Sequence, residues 1–170
     1  MDDVILRPIR EDDLDALDRF WLDPESASEF QWAGFRDPKA FRRRWEEDGW
    51  LGGEHSELAV ARGDDACAGI VSWKDRTYSL GKALVYEIGI ILLPEHRGQG
   101  VGATAQRLLV EYVFTHTPAH RIEAFTEVDN VREQRALEKA GFEKEGVMRE
   151  VIFRGGQWRS SCIYSLIRPG

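Results

Sequence analysis

Between residues 97 and 102 the chain reads Arg97-Gly98-Gln99-Gly100-Val101-Gly102, and Ala103 follows. Glycines at this spacing let a backbone approach a ligand closely, and the free N–H groups that open a helix, together with its dipole, attract negative charge. The chemistry indicated is anion binding, with phosphate as the natural ligand. A Walker loop would need Gly-Lys followed by Ser or Thr, and that tripeptide is absent. A dinucleotide fingerprint is met loosely by Gly98, Gly100 and Ala103, but its first glycine should follow a strand directly and open the domain. Here Leu93-Pro94-Glu95-His96-Arg97 intervene, and more than half the chain comes first. The bland alternative is a set of glycines easing a strand-to-helix turn. A second chemical signal is Glu87, a carboxylate that interrupts the apolar run from Leu84 to Leu92.

These residues need elements to position them. Val4 to Ile9 reads as a strand, and Asp12 or Asp13 can cap a helix carrying Leu14, Leu17, Phe20 and Trp21 that ends before Asp23-Pro24. Asp37-Pro38 repeats the start signal for a helix with Phe41 and Trp45 on one face. Glu57 to Arg62 and Cys67 to Trp73 form a hairpin about Gly63-Asp64-Asp65, and Leu84 to Leu92 is a third strand. The glycine stretch then runs into a helix bearing Val101, Ala105, Leu108, Leu109, Tyr112 and Val113. A strand from Arg121 to Thr126 and a helix from Asn130 to Ala140 follow, with Gly141 as a left-handed cap. Gly155-Gly156 turns a last hairpin between Val147 to Arg154 and Gln157 to Ile167. The order βααβββαβαββ predicts one α/β domain spanning residues 1–170, with a mixed sheet.

The 170 residues suit one domain, and a 42% hydrophobic share is enough to bury a core. The longest apolar run, Ile88 to Leu93, falls far short of the roughly 18 residues of a membrane span. Met1-Asp2-Asp3 is acidic where a secretory signal would be basic, so a cytoplasmic protein without membrane partners is expected. The net charge of −7 argues against a nucleic-acid partner and favours a cationic small molecule or peptide. Cys67 and Cys162 read as reduced, buried thiols. His55, His96, His116 and His120 form no ligand pattern, so no metal is expected.

Arg97 to Gly102 fits R/Q-x-x-G-x-G/A, the motif of the GCN5-related N-acetyltransferases (GNAT), between a strand and a helix as in that family. Asn130, then Ala136 to Phe142 and Glu145-Gly146, resembles the second motif of its ribosomal-protein (RimJ/RimL-like) and polyamine branch. Gly156 to Arg159 and Tyr164-Ser165-Leu166 resemble that branch's C-terminal hairpin, and the likeness begins at Leu6-Arg7-Pro8. The resemblance implies a sheet of six or seven mostly antiparallel strands, about four flanking helices, and a splay between the fourth and fifth strands that takes acetyl-CoA. By the same resemblance Ile90, Ile91 and Leu92 offer backbone groups to the pantetheine arm. Arg97, Gly98, Gln99, Gly100, Val101, Gly102 and Ala103 receive the pyrophosphate, and Asn130 either contacts the cofactor or caps its helix. A homodimer would be in keeping with the relatives.

An amine of pKa near 10.4 is protonated at pH 7, so freeing its lone pair costs about 4.6 kcal/mol and needs a proton acceptor. Glu87 is the candidate base, directly or through water, against a salt-bridged glutamate on the open face of the sheet. The kinked strand at Ile90 to Leu92 is the candidate donor to the acetyl oxygen. Where many relatives carry a tyrosine acid this chain has Leu137, and where the ribosomal-protein branch often has serine it has Glu133. Glu133 and Tyr164 are the remaining acid candidates, against an exposed helix charge and a core aromatic. Glu29, Phe30, Trp32 and Phe35 are candidates for the acceptor wall, against simple packing of the N-terminal aromatics. The leading expectation is transfer of acetyl from acetyl-CoA to a primary amine of a peptide, a protein N-terminus or a small molecule. The alternatives are an inactive CoA-binding sensor, a polyamine or antibiotic acetyltransferase, and a protein-binding domain whose loop holds nothing.

Overall fold

A computed structural model describes residues 4–78 and 84–170. The acidic Met1-Asp2-Asp3 start lies outside the described residues. Strand β1 (Ile5–Arg7) is followed by a 3-10 turn (Glu11–Asp13), α1 (Leu14–Leu22), α2 (Pro24–Ala27) and α3 (Ala40–Asp48). Then come β2 (His55–Arg62), β3 (Ala66–Arg76), β4 (Val85–Leu92), a 3-10 turn (Pro94–His96), α4 (Val101–His116), β5 (Arg121–Glu127), α5 (Val131–Lys139), β6 (Glu143–Arg154) and β7 (Gln157–Ile167). Every expected strand and helix is present. The element not foreseen is α2, a single turn whose N-cap Asp23 accepts from the amides of Glu25 and Ser26, with Pro24 in the first position. The second expected helix starts at Ala40, two residues beyond Pro38, with Asp37 accepting from the Lys39 amide 2.9 Å away.

The strands form one sheet in the order β1-β2-β3-β4-β5-β7-β6. All neighbours run antiparallel except β4 and β5, which pair only from Val85 opposite Arg121 to Ile88 opposite Ala124. Beyond that point β4 keeps its pairing with β3 out to Leu92, and β5 keeps its pairing with β7 out to Glu127. The two strands therefore part at Gly89 and Phe125, each still anchored on its other side. This is the expected splay.

Side-chain alternation sends β4 residues to two separate cores. On one face Ile88 joins Leu109 and Val113 of α4 and Leu137 of α5, with Ile90 and Leu92 packed against them. On the other, Ile91 packs with Leu14, Leu17 and Phe20 of α1 and Phe41 of α3. Trp21 and Trp50 flank Phe41, and Trp45 and Trp50 donate their indole N–H groups to the carbonyls of Ile9 and Phe41 at 3.0 Å each. Three of the N-terminal tryptophans thus clamp α1 and α3 to the sheet. The glycines at the turns behave as the sequence suggests: Gly141 has φ +97° after α5, and Gly155 and Gly156 have φ +59° and +76° between β6 and β7. Cys162 is buried, whereas Cys67 is only half-buried; both are free thiols.

Candidate functional site

A cleft of about 910 Å³ opens where β4 and β5 part. Its walls are the α2–α3 loop from Ser28 to Gln31, the β4 residues Ile90 and Leu92, the glycine loop with the first turn of α4, and α5 from the Asp129-Asn130 turn that precedes it to Lys139 at its end. Gly98 and Gly100 have φ +75° and +82°, conformations that side-chain-bearing residues adopt only at a cost, and a Cβ built on either would meet nothing within 4 Å. The loop is held open by backbone geometry, not by packing. The first amides of α4 have no carbonyl one turn earlier to bond, so they are available to a ligand.

Of the expected cofactor residues, Ile90, Leu92, Arg97, Gly98, Gly100, Gly102, Ala103 and Asn130 line this cleft, while Ile91, Gln99 and Val101 do not. Alternation turns Ile91 to the α1–α3 core, and Val101 is 1% exposed in the other core. Gln99 donates to the Glu95 carbonyl at 2.7 Å and accepts from Arg62. Arg97 donates to the Leu92 carbonyl at 2.8 Å and to the Ser26 carbonyl, tying α2 to the end of β4. Asn130 caps α5, its side chain accepting from the Glu133 amide at 3.2 Å.

Three cationic residues in the cleft wall escaped the sequence reading: Arg132, Arg135 and Lys139. Their three- and four-residue spacing puts them on one face of α5. With Arg97 they set four cations against three acids, Glu29, Asp129 and Glu133, in a protein of net charge −7. A polyanion is the ligand this lining suits.

Glu133 faces the cleft and accepts from the amide of Gln106, a residue only 1% exposed. Burial pushes the Glu133 carboxyl up to about 7. Tyr164 sits in the core at 0% exposure, its hydroxyl 3.4 Å from Gln134 and 3.2 Å from Glu138, and it is not among the cleft residues. Burial and the Glu138 carboxylate push that phenol up to about 12.

Glu87 lies on the α1–α3 face of the sheet, away from the cleft lining. Both of its oxygens are engaged: Lys74 is 3.0 Å from Oε1 and Arg76 donates to Oε2 at 2.6 Å. The pattern extends along the same face. Glu123 accepts from Tyr78 and Arg121 at 2.6 Å each, and Glu145 accepts from Arg121 at 2.8 and 2.5 Å. Glu127, 5% exposed, takes a two-pronged bond of 2.7 Å on each oxygen from Arg154, whose guanidinium lies over Phe30. Among the expected acceptor residues, Glu29 and Phe30 line the cleft, whereas Trp32 and Phe35 do not. Those two pack edge to face at 5.3 Å, with Phe35 83% exposed. Gln31 reaches into the splay itself, its side-chain amide donating to the Ile90 carbonyl at 2.9 Å.

Residues 3–143 match the family model described as the acetyltransferase (GNAT) domain, and the chain belongs to that family. The likeness to a probable N-acetyltransferase, YjcK, of Bacillus subtilis is 39% identity over 82 residues, 48% of this chain and 45% of that protein. The chain spans about half the length of the first curated relatives it matches. Among solved structures, Mycobacterium smegmatis RimJ in complex with CoA-disulfide superposes with a TM-score of 0.78 at 21% identity, covering 96% of this chain and 81% of that one. Spermidine N-acetyltransferase from Vibrio cholerae in complex with CoA and spermine gives 0.77 at 20% identity, covering 96% and 95%.

Proposed function

We propose that this chain transfers the acetyl group of acetyl-CoA to a primary amine by direct attack within a ternary complex. The single observation that carries the reading is the parting of β4 and β5 beside a cleft lined by four cationic residues and an open glycine loop. Bound there, acetyl-CoA would supply an acyl group activated as a thioester. Arg97, Gly98, Gly100, Gly102 and Ala103 with Arg132, Arg135 and Lys139 would hold its phosphates, and the parted backbone at Ile90 and Leu92 would hold its arm. The RimJ and spermidine N-acetyltransferase structures reported above carry CoA-disulfide and CoA respectively, which supports the same co-substrate.

For the acceptor, the charge arrangement favours a peptide or protein N-terminus, as in the RimJ/RimL-like branch, over a polyamine. A polyamine would need several carboxylates free to meet its ammonium groups. Glu87, Glu123, Glu127 and Glu145 are each already bonded to a lysine or arginine of this chain. An acceptor with one amine and a largely neutral body asks for no such displacement. Glu29 at the cleft wall and the Phe30 ring supply one carboxylate and one aromatic face for it. Glu87 serves in this reading as an ion-paired part of the acceptor face.

The test is thiol release from acetyl-CoA with peptides bearing free N-termini, spermidine and spermine, and aminated antibiotics. Turnover with peptides at a kcat/KM well above that for polyamines is expected. The reverse order would establish the polyamine reading, and tight CoA binding with no turnover on any amine would establish a non-catalytic CoA sensor.

A further inference from the structure

Glu57 is a buried carboxyl that nothing above employs. It is 4% exposed; Oε2 has no hydrogen-bond partner among the described residues, and Oε1 lies 3.5 Å from His55 Nε2. Its place in the sheet is specific. Glu57 on β2 stands directly opposite Ser72 on β3, and Ser72 stands directly opposite Gly89 on β4. Opposite residues in antiparallel strands share a face, with Cβ atoms about 5 Å apart. The face is the one that carries Glu87 and Ile91. The Ser72 hydroxyl lies 2.9 Å from the point a Gly89 Cβ would occupy, so the absent side chain leaves that hydroxyl against bare backbone. Gly89 is also the first β4 residue past Ile88, where pairing with β5 ends. The three residues thus make a polar row from the mouth of the splay to a buried carboxyl two strands away, and His55, half-buried, continues it toward solvent.

Resting on the acyl-transfer reading, we propose that Glu57, acting through Ser72, receives the proton that the acceptor amine gives up. The N–H bond of the ammonium breaks and its proton passes to Ser72 Oγ. The Ser72 hydroxyl proton passes in the same step to a bridging water, which gives one of its own protons to the unpartnered Oε2 of Glu57 across the strand pair. The lone pair left on nitrogen is the nucleophile, and nothing is oxidised or reduced. The proton then leaves through His55 Nε2. Glu57 is a positioning residue in this scheme, since it acts through Ser72. The other carboxylates on the face are less suited, because Glu87, Glu123, Glu127 and Glu145 would each have to break a bond to a cation before taking a proton. Arg44 from α3 and His55 from its own strand are the charged or titratable groups that face Glu57, and His55 in turn is faced by Arg44, by Lys74 from β3 and by Glu87 from β4. Burial pushes the Glu57 carboxyl up to about 8, only partly offset by Arg44, which gives it the basicity a neutral-pH proton acceptor needs.

The experiment is the pH profile of kcat/KM for acetyl transfer to a peptide amine, comparing wild type with Glu57→Gln, Glu57→Asp and Ser72→Ala, with CoA affinity measured by calorimetry on each. In wild type the rate should rise through an ionisation near neutral to mildly alkaline pH. Glu57→Gln should lose that limb and about 10²-fold in rate. Ser72→Ala should lose the limb with a smaller drop, and Glu57→Asp should restore it in part. CoA affinity should be unchanged in all three. A Glu57→Gln or Ser72→Ala enzyme with the wild-type profile overturns the relay alone. Absence of wild-type turnover on any amine overturns the transfer reading and the relay with it.

Discussion

A carboxyl as deeply enclosed as Glu57 makes the stability of the fold depend on pH, and the dependence can be isolated with one substitution. In the unfolded chain the group titrates near 4.5, and in the folded chain burial pushes it up to about 8. Between these values the folded protein holds a proton that the unfolded chain has released. Rising pH therefore favours unfolding across this window, and the loss is complete once the pH passes the folded value. The full difference of about 3.5 units corresponds to about 5 kcal/mol, of which about 4 kcal/mol falls between pH 5 and pH 9. Glu57→Gln has nearly the same shape and no titration. Urea unfolding of both proteins at pH 5, 7 and 9 should show the variant gaining on wild type by about 4 kcal/mol over that range, while the other titrating groups cancel in the difference. A difference that stays flat with pH would show that Glu57 is not enclosed as described, and would remove the carboxyl from the proposed proton route as well.

Four further outcomes follow from the geometry. Gly100→Val places a branched residue at φ +82° and should weaken CoA binding, whereas Gly102→Ala, whose Cβ would find its nearest neighbour 3.7 Å away, should fold as well as wild type; equal CoA affinity of Gly100→Val and wild type by calorimetry would refute the phosphate cradle. Gly69→Ala should cost about 3 kcal/mol or more in urea unfolding, because its Cβ would lie 2.9 Å from Leu92 Cα and inside the Ile91 carbonyl oxygen; a loss under about 1 kcal/mol would show that β3 and β4 shift easily. Gln31→Ala frees the Ile90 carbonyl and should tighten CoA binding about two- to tenfold, the worth of one net hydrogen bond, with weaker binding as the contrary result. Glu133 becomes a carboxylate as pH rises through about 7, so CoA affinity should fall across that range in wild type and stay level in Glu133→Gln.

Why the strands and helices were legible is clear from where the prediction stopped short. The apolar core marks every strand, and β3 and β6 run well beyond their expected bounds because polar residues continue them. Lys74, Asp75 and Arg76 extend β3, and Glu143, Lys144 and Glu145 extend the edge strand β6, because one face there meets solvent or an ion pair. Alternation reveals a strand only while one face is apolar. The unforeseen α2 is one turn set by Asp23-Pro24, a signal that equally marks the end of α1, and only the structure separates an end from an end followed by a start.

The site divides along the same physical line. The glycine loop was legible because left-handed backbone is a local property of Gly98 and Gly100, written in residue type and near-neighbour spacing. Glu87 was picked out for interrupting an apolar strand, but its neighbours Lys74 and Arg76 belong to a different strand, and register alone decides that they meet it. Glu57 was passed over for the converse reason: it begins the apolar stretch of its strand and looks like a surface residue, until Trp50, Ser72 and α3 are folded around it. Isolation and pairing are pairwise facts, and a sequence shows its pairs only along the chain. Hence the carboxylate most visible in the one-dimensional pattern is the one bonded to two cations, and the one left with a free oxygen is hidden. For a reaction that must move a proton off an amine, the second property counts, since a carboxylate already shared between cations has to lose a bond before it can accept.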